Sequence, residues 1–172
     1  MPNINPSRFY NELTHSPESL HIQALSNAIA TVGALADPEL TYAIEACYTQ
    51  ARNFLDACER QDNGEALGSI NMLQACVLLC FYELKHPNFP RAWLTLGRAI
   101  RMSKIMGLEK MDADPTIAAV RQPVFAPATS VLDTTELEER RRTFWQLYVL
   151  DGLAGMRENS VPAFDSDEVK VN

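Results

Sequence analysis

The chain reads as successive stretches of helical periodicity separated by proline and glycine. Ser16-Pro17 pairs an N-cap residue with proline at a first helical position, the usual way to open a helix. Leu20, Ile22, Leu25, Ile29, Val32 and Leu35 follow on one side. Asp37-Pro38 repeats the signal, and Leu40, Ile44, Cys47, Tyr48, Ala51, Phe54, Leu55 and Cys58 then recur at i, i+3, i+4 and i+7. Asn63-Gly64 is the predicted stop. From Glu65 to about Leu84 apolar residues point in every direction, which predicts a central, buried third helix. A fourth helix is predicted from Arg91 to Met106, closed by Gly107 as a left-handed terminator. Glu109 to Asp133 carries Pro115, Pro123 and Pro127 without a period and predicts a long, mobile loop. A fifth helix is predicted from Thr135, with Glu138 completing a capping box, to about Gly155; the last residues read as extended. No strand-like alternation or internal repeat is sustained. The expectation is an all-α fold, an array of antiparallel helices around the buried third one. Its divisions are an N-terminal helical segment (1–36), a main domain (37–157) and an extended tail (158–172) at which the domain reads as truncated.

Composition narrows the classes of function. The 172 residues are 47% hydrophobic with a formal charge of −7, enough apolar material for a core. An acidic balance argues against direct nucleic-acid binding, which needs clustered Lys and Arg. The longest apolar run, Ala75 to Tyr82, is far short of a bilayer span, and the N-terminus has no signal-peptide pattern. Cys47, Cys58, Cys76 and Cys80 form no C-x-x-C pair and have none of His15, His21 or His86 beside them. That spacing does not suit a metal site, and Cys76 and Cys80, at i and i+4 in an apolar segment, read as buried thiols.

The segment Leu137 to Asp151 (LEERRRTFWQLYVLD) holds the sharpest features. Its triple arginine invites a nuclear-localisation or nucleic-acid reading. Glu136 precedes Arg140 by four residues and Glu138 precedes Arg142 by four, so a salt-bridged solvent face is the stronger expectation. A helical wheel puts Leu137, Phe144, Leu147, Tyr148 and Ala154 on one face together with Arg140 and Asp151. An acid inside an apolar stripe needs a partner. Leu94, Met102 and Ile105 share a face of the fourth helix with Arg98, and Arg101 lies at its edge. The expectation is a structural ion pair between Asp151 and Arg98, or alternatively Arg101. Trp93, Leu96 and Ile100 form a second stripe that reads as core. No phosphate loop, nucleophile elbow or metal-binding helix motif is present, so no catalytic, cofactor-binding or metal residue is assigned.

Three segments occur in order: Gly97 to Leu108 (GRAIRMSKIMGL), Leu137 to Asp151, and Val161-Pro162-Ala163-Phe164. Together they resemble the middle regulatory region of fungal zinc-cluster transcription factors, the xylanolytic-activator regulatory domain, over about Ala43 to Val171. The residues matching the family pattern are Gly97, Gly107, Arg141, Arg142, Trp145, Asp151 and Pro162. Glu109 stands where the family often has His, and Gly152 where Arg is frequent. The resemblance implies transcriptional regulation in the nucleus, no enzymatic activity, and control by a regulatory protein or a metabolite effector. It assigns zinc and DNA binding to a module of six closely spaced cysteines that these residues do not contain. So the chain is expected to be a portion of such a factor, or a truncated gene product, with no cofactor, no membrane contact and a capacity for self-association. The alternative is a helical peptide-binding scaffold of the tetratricopeptide kind, unrelated to transcription.

Overall fold

Two Asx-Pro steps open helical segments. The Asn5 side chain accepts from the Arg8 amide, with Pro6 at the first helical position, and α1 runs Pro6–His15. The Asp37 side chain accepts from the Glu39 amide at 2.9 Å and starts a 3₁₀ helix, Pro38–Ala43, that leads into α3, Ile44–Arg60. Between them lies α2, Leu20–Ala34, which begins after Ser19 and not at Ser16-Pro17. Then come α4 (Ile70–Lys85), α5 (Phe89–Ile105), a 3₁₀ turn (Leu108–Lys110) and α6 (Thr134–Glu158). The computed structural model describes residues 3–60, 68–85, 89–113 and 132–171, and no strand occurs among them. The expected stop at Asn63-Gly64, the first residues of the predicted third helix, and residues 114–131 of the long loop lie outside the described residues. The all-α fold is observed.

α4 occupies the centre, as its all-round apolar pattern requires. Every residue of it except Phe81, Leu84 and Lys85 is buried. α2 packs on α3 and α4, and α5 and α6 both pack against α4. The core is continuous from α1 to the tail: Phe9, Ile22, Leu73, Phe144, Phe164 and Val171 belong to one hydrophobic cluster. Cys76 and Cys80 are buried in α4, and burial pushes both thiols up to about 12, so neither is reactive at neutral pH.

Helix ends follow local chemistry. Gly107 takes φ 69°, the left-handed position that glycine fills without strain. α6 starts one residue earlier than expected, because its capping box uses Asp133 and Glu136 rather than Thr135 and Glu138. It also continues past Gly155 to Glu158. There Asn159 turns left-handed at φ 52° and the Ser160 amide donates to the Gly155 carbonyl at 3.0 Å, a Schellman closure. Gly155 is needed for closeness: a Cβ there would sit 3.0 Å from the Ser160 oxygen and 3.4 Å from Pro162.

Candidate functional site

α6, which carries the triple arginine, is the organising element. Its three arginines have three different environments. Arg140 is buried, and its Nη1 donates to the backbone oxygen of Glu136 at 3.3 Å. The expected Glu136–Arg140 ion pair is absent, because the Glu136 carboxylate is occupied at the cap, accepting from the Asp133 amide at 3.1 Å. Arg141 forms a two-pronged contact with Asp112, Nε to Oδ2 at 3.0 Å and Nη2 to Oδ1 at 2.6 Å. Arg142 bonds Glu138 at 2.7 Å on the solvent face, as expected. The run is therefore divided between core and ion pairs and does not form an unopposed cationic surface of the kind nucleic acid requires.

The first half of α6 holds the N-terminal segment through a buried polar network. Arg8 on α1 donates to Glu139 twice, Nε to Oε2 at 2.6 Å and Nη2 to Oε1 at 2.7 Å. Its Nη1 reaches Asn71 Oδ1 at 2.7 Å and Glu12 Oε1 at 2.9 Å. Gln74 Nε2 donates to the Asn3 carbonyl at 2.6 Å and to Glu139 at 3.0 Å, and the Asn5 amide also donates to Glu139. Thr143 Oγ1 returns to its own helix at Glu139 O, 2.8 Å. The Glu139 side chain is only 3% exposed. Burial alone would raise its pKa. The bonds from Arg8, Gln74 and the Asn5 amide outweigh burial and hold the carboxyl below the usual carboxylate range. Arg8 is raised in turn: burial opposes its charge, and Glu139 and Glu12 more than offset it.

The second half of α6 holds the tail. Asp151 Oδ2 accepts from the Ala163 amide at 2.7 Å and the Phe164 amide at 3.0 Å. This corrects the expected pairing of Asp151 with Arg98 or Arg101. Arg91, Thr95 and Arg98 share the stripe of α5 that faces α3: Arg91 donates to Tyr48, Thr95 accepts from Arg52, and Arg98 pairs with Glu59 at 3.2 Å and Asp56 at 3.6 Å. Arg101 folds back onto its own helix and donates to Gly97 O at 3.2 Å. The wheel identified Asp151 as an inward acid, but its partners are backbone amides, which no spacing of charged residues reveals. Around this contact the three motif segments meet. Lys104 Nζ donates to Ala163 O at 2.9 Å, and the Phe164 ring packs edge-on against Phe144 with centroids 5.2 Å apart. Pro162 sits against Gly155. The tail also bonds the start of the long loop: the Lys170 amide donates to Glu109 O at 2.7 Å, and the Asp112 amide to Lys170 O at 3.0 Å. Trp145 stacks edge-on against Phe144 and Tyr148 and stays 39% exposed. Trp93, expected in the core with Leu96 and Ile100, is 41% exposed, while the other two are buried.

A third polar contact fixes α3, α4 and α5. Tyr48 donates to the buried Glu83 at 2.7 Å, and burial together with Glu83 pushes the phenol up to about 12. Among the described residues no group of His, Cys, Asp and Glu could hold a metal ion, and no helix is long and apolar enough to cross a membrane.

The contacts among the described residues hold chain segments in place. The model of the fungal specific transcription factor domain matches residues 1–172. The chain belongs to this family. Within it, the depudecin biosynthesis cluster-specific transcription activator of Alternaria brassicicola is 35% identical over 161 residues, 91% of this chain and 24% of that protein. The pigment biosynthesis transcriptional activator of Monascus ruber is 34% identical over 116 residues, 66% of this chain and 20% of its own length. The ascochitine biosynthesis cluster transcriptional regulator of Didymella fabae is 30% identical over 155 residues, 83% of this chain and 25% of its own length. This fungal transcription factor domain thus spans about a quarter of the length of those curated relatives. No solved structure matches it.

Proposed function

We propose that the chain is the regulatory domain of a nuclear transcription factor that controls the genes of a biosynthesis cluster. The observation that carries this is the family match across all 172 residues, alongside relatives whose names describe cluster regulators. The geometry supports a controlling rather than a DNA-reading role, since the arginine run of α6 is taken up by core burial, Asp112 and Glu138. DNA contact and zinc belong to a separate module, and the chain itself performs no catalysis. Control works through conformation: a metabolite or regulatory protein that binds one arrangement of α1, α6 and the tail more tightly shifts the population toward it.

The test is a fusion. The chain is placed behind a heterologous DNA-binding domain at a reporter in a fungal cell, alone and ahead of a constitutive activation domain. A change in output in either arrangement is expected, with its sign giving activation or restraint. Unchanged output from a folded, nuclear fusion in both arrangements would overturn the proposal.

A further inference from the structure

Beside the Arg8–Glu139 contact lies a cleft of about 340 Å³, bounded by α1, the first turns of α2 and α4, and the start of α6. Its size is at the small end of the range for organic ligands. Arg140 lines it and is nine-tenths buried at 9% exposure. Its Nε is buried without a hydrogen-bond partner, and its Nη1 donates to the backbone carbonyl of Glu136. Desolvation of that guanidinium outweighs the attraction of the nearby Glu136 and Glu139 carboxylates, neither of which bonds it. Burial correspondingly pulls its pKa down.

Two helix N-termini line the same cleft. α2, of 15 residues, begins after Ser19, whose side chain makes no capping bond to the first turn. α4, of 16 residues, begins after Ser69, which also lines the cleft. Both ends present backbone amides and the positive end of a helix dipole, the arrangement that receives oxyanions. Two carboxylates also line the cleft and would oppose an anion. Glu12 is bonded to Arg8 and accepts from Asn71, and Glu136 is bonded at the α6 cap, so each is already matched by donors. Arg140 is the arginine of the cleft whose side chain bonds no carboxylate.

We infer that this cleft binds a small organic molecule through a carboxylate or phosphate group, with Arg140 as the pairing cation and the first turns of α2 and α4 supplying amide donors. The cleft is larger than a bare phosphate, leaving room for the rest of the molecule. Bound there, the ligand braces α1 and α2 against α6, next to the network that anchors the N-terminal segment. That effect would be an effector input if the chain is a regulatory domain; binding itself is read on the purified chain, independently of any reporter.

The probes are inorganic phosphate and succinate, each against sodium chloride at equal ionic strength. Two readouts are followed on the 172-residue chain: the thermal midpoint, and the imidazole resonances of His21, which lines the cleft. At least one probe is expected to raise the midpoint saturably at millimolar concentration and shift His21, and which one does so distinguishes a phosphate ligand from a carboxylate. R140Q should weaken that binding about tenfold or more, the effect of losing a charged hydrogen bond. R142Q, on the solvent face, should leave it unchanged. Should R140Q not fold, the saturable His21 shift in the wild-type chain and in R142Q decides. A response equal to that of chloride, a still His21 resonance with both probes, or undiminished binding by a folded R140Q would overturn the inference.

Discussion

The two ends of the described chain reach α6 by different chemistry. At the N-terminal end a charged side chain meets a charged side chain inside the protein: Arg8 grips Glu139 bidentately, and Asn71 and Gln74 supply further polar partners. At the C-terminal end a carboxylate accepts two backbone amides, and an aromatic ring supplies apolar area: Asp151 holds Ala163 and Phe164, and Phe164 packs on Phe144. Both contacts desolvate an acid. They differ in what is left behind when one partner is lost. Deleting Arg8 strands a charged carboxylate that is 3% exposed, whereas deleting the Asp151 carboxylate strands two neutral amides, those of Ala163 and Phe164. A buried side-chain pair is therefore the more brittle clasp.

The largest expected effect is at the brittle end. Arg8→Ala should lower stability by about 3–5 kcal/mol, the usual consequence of breaking a buried pair from one side. Chemical denaturation checks this, and limited proteolysis should then cut within α1 first. Replacing both partners, Arg8→Met with Glu139→Leu, should recover much of the loss, since an apolar pair carries no stranded charge.

The tail clasp ranks next. Asp151→Ala should cost about 1.5–3 kcal/mol, because it removes a charged acceptor from two amides. Gly155→Ala should cost about 1–3 kcal/mol by forcing the Ser160 carbonyl away. Both are read from thermal midpoints, and neither should loosen α1.

Acid bears on the N-terminal clasp as well. The Glu139 carboxyl titrates below its ordinary range in the fold, so its stabilisation is complete above the unfolded value of about 4.3 and disappears as pH falls through the folded value. Glu109 runs the other way: burial raises its pKa, so folding favours its protonated form. The expected result is that Glu139→Gln flattens the decline in thermal midpoint below about pH 4.3 relative to wild type. The smallest effect is on the solvent face, where Glu138→Gln should change stability by about 0.5 kcal/mol or less, since Glu138 is 48% exposed and Arg142 53%.

Much of this fold was legible because apolar periodicity is a direct record of which face is buried. The all-round pattern of residues 65–84 marked the central helix, and Gly107 marked a left-handed end. α1 was missed although Asn5-Pro6 carries the same start signal as Asp37-Pro38, because only Phe9 of its residues is buried and the apolar stripe is too thin to read. The site was less legible for a different reason. Asn71 and Gln74 interrupt the apolar start of α4 at i and i+3, and that pair is the sequence signal for a polar partner. Its identity, Arg8 and Glu139, comes from residues more than 130 positions apart. Asp151 was visible as an inward acid, but a bond to backbone amides leaves no mark in the side-chain pattern. Arg98 was placed on the wrong side of α5 because its stripe carries the polar residues Arg91 and Thr95, whose common direction toward α3 only the packing shows.

The central claim is that α6 holds the two ends independently. Amide hydrogen exchange on wild type, Arg8→Ala and Asp151→Ala tests it most directly. Asp151→Ala should accelerate exchange at Ala163 and Phe164 while the α1 amides keep their protection, and Arg8→Ala should do the reverse. If either variant opens both ends together, the two clasps are one cooperative unit and the claim is contradicted.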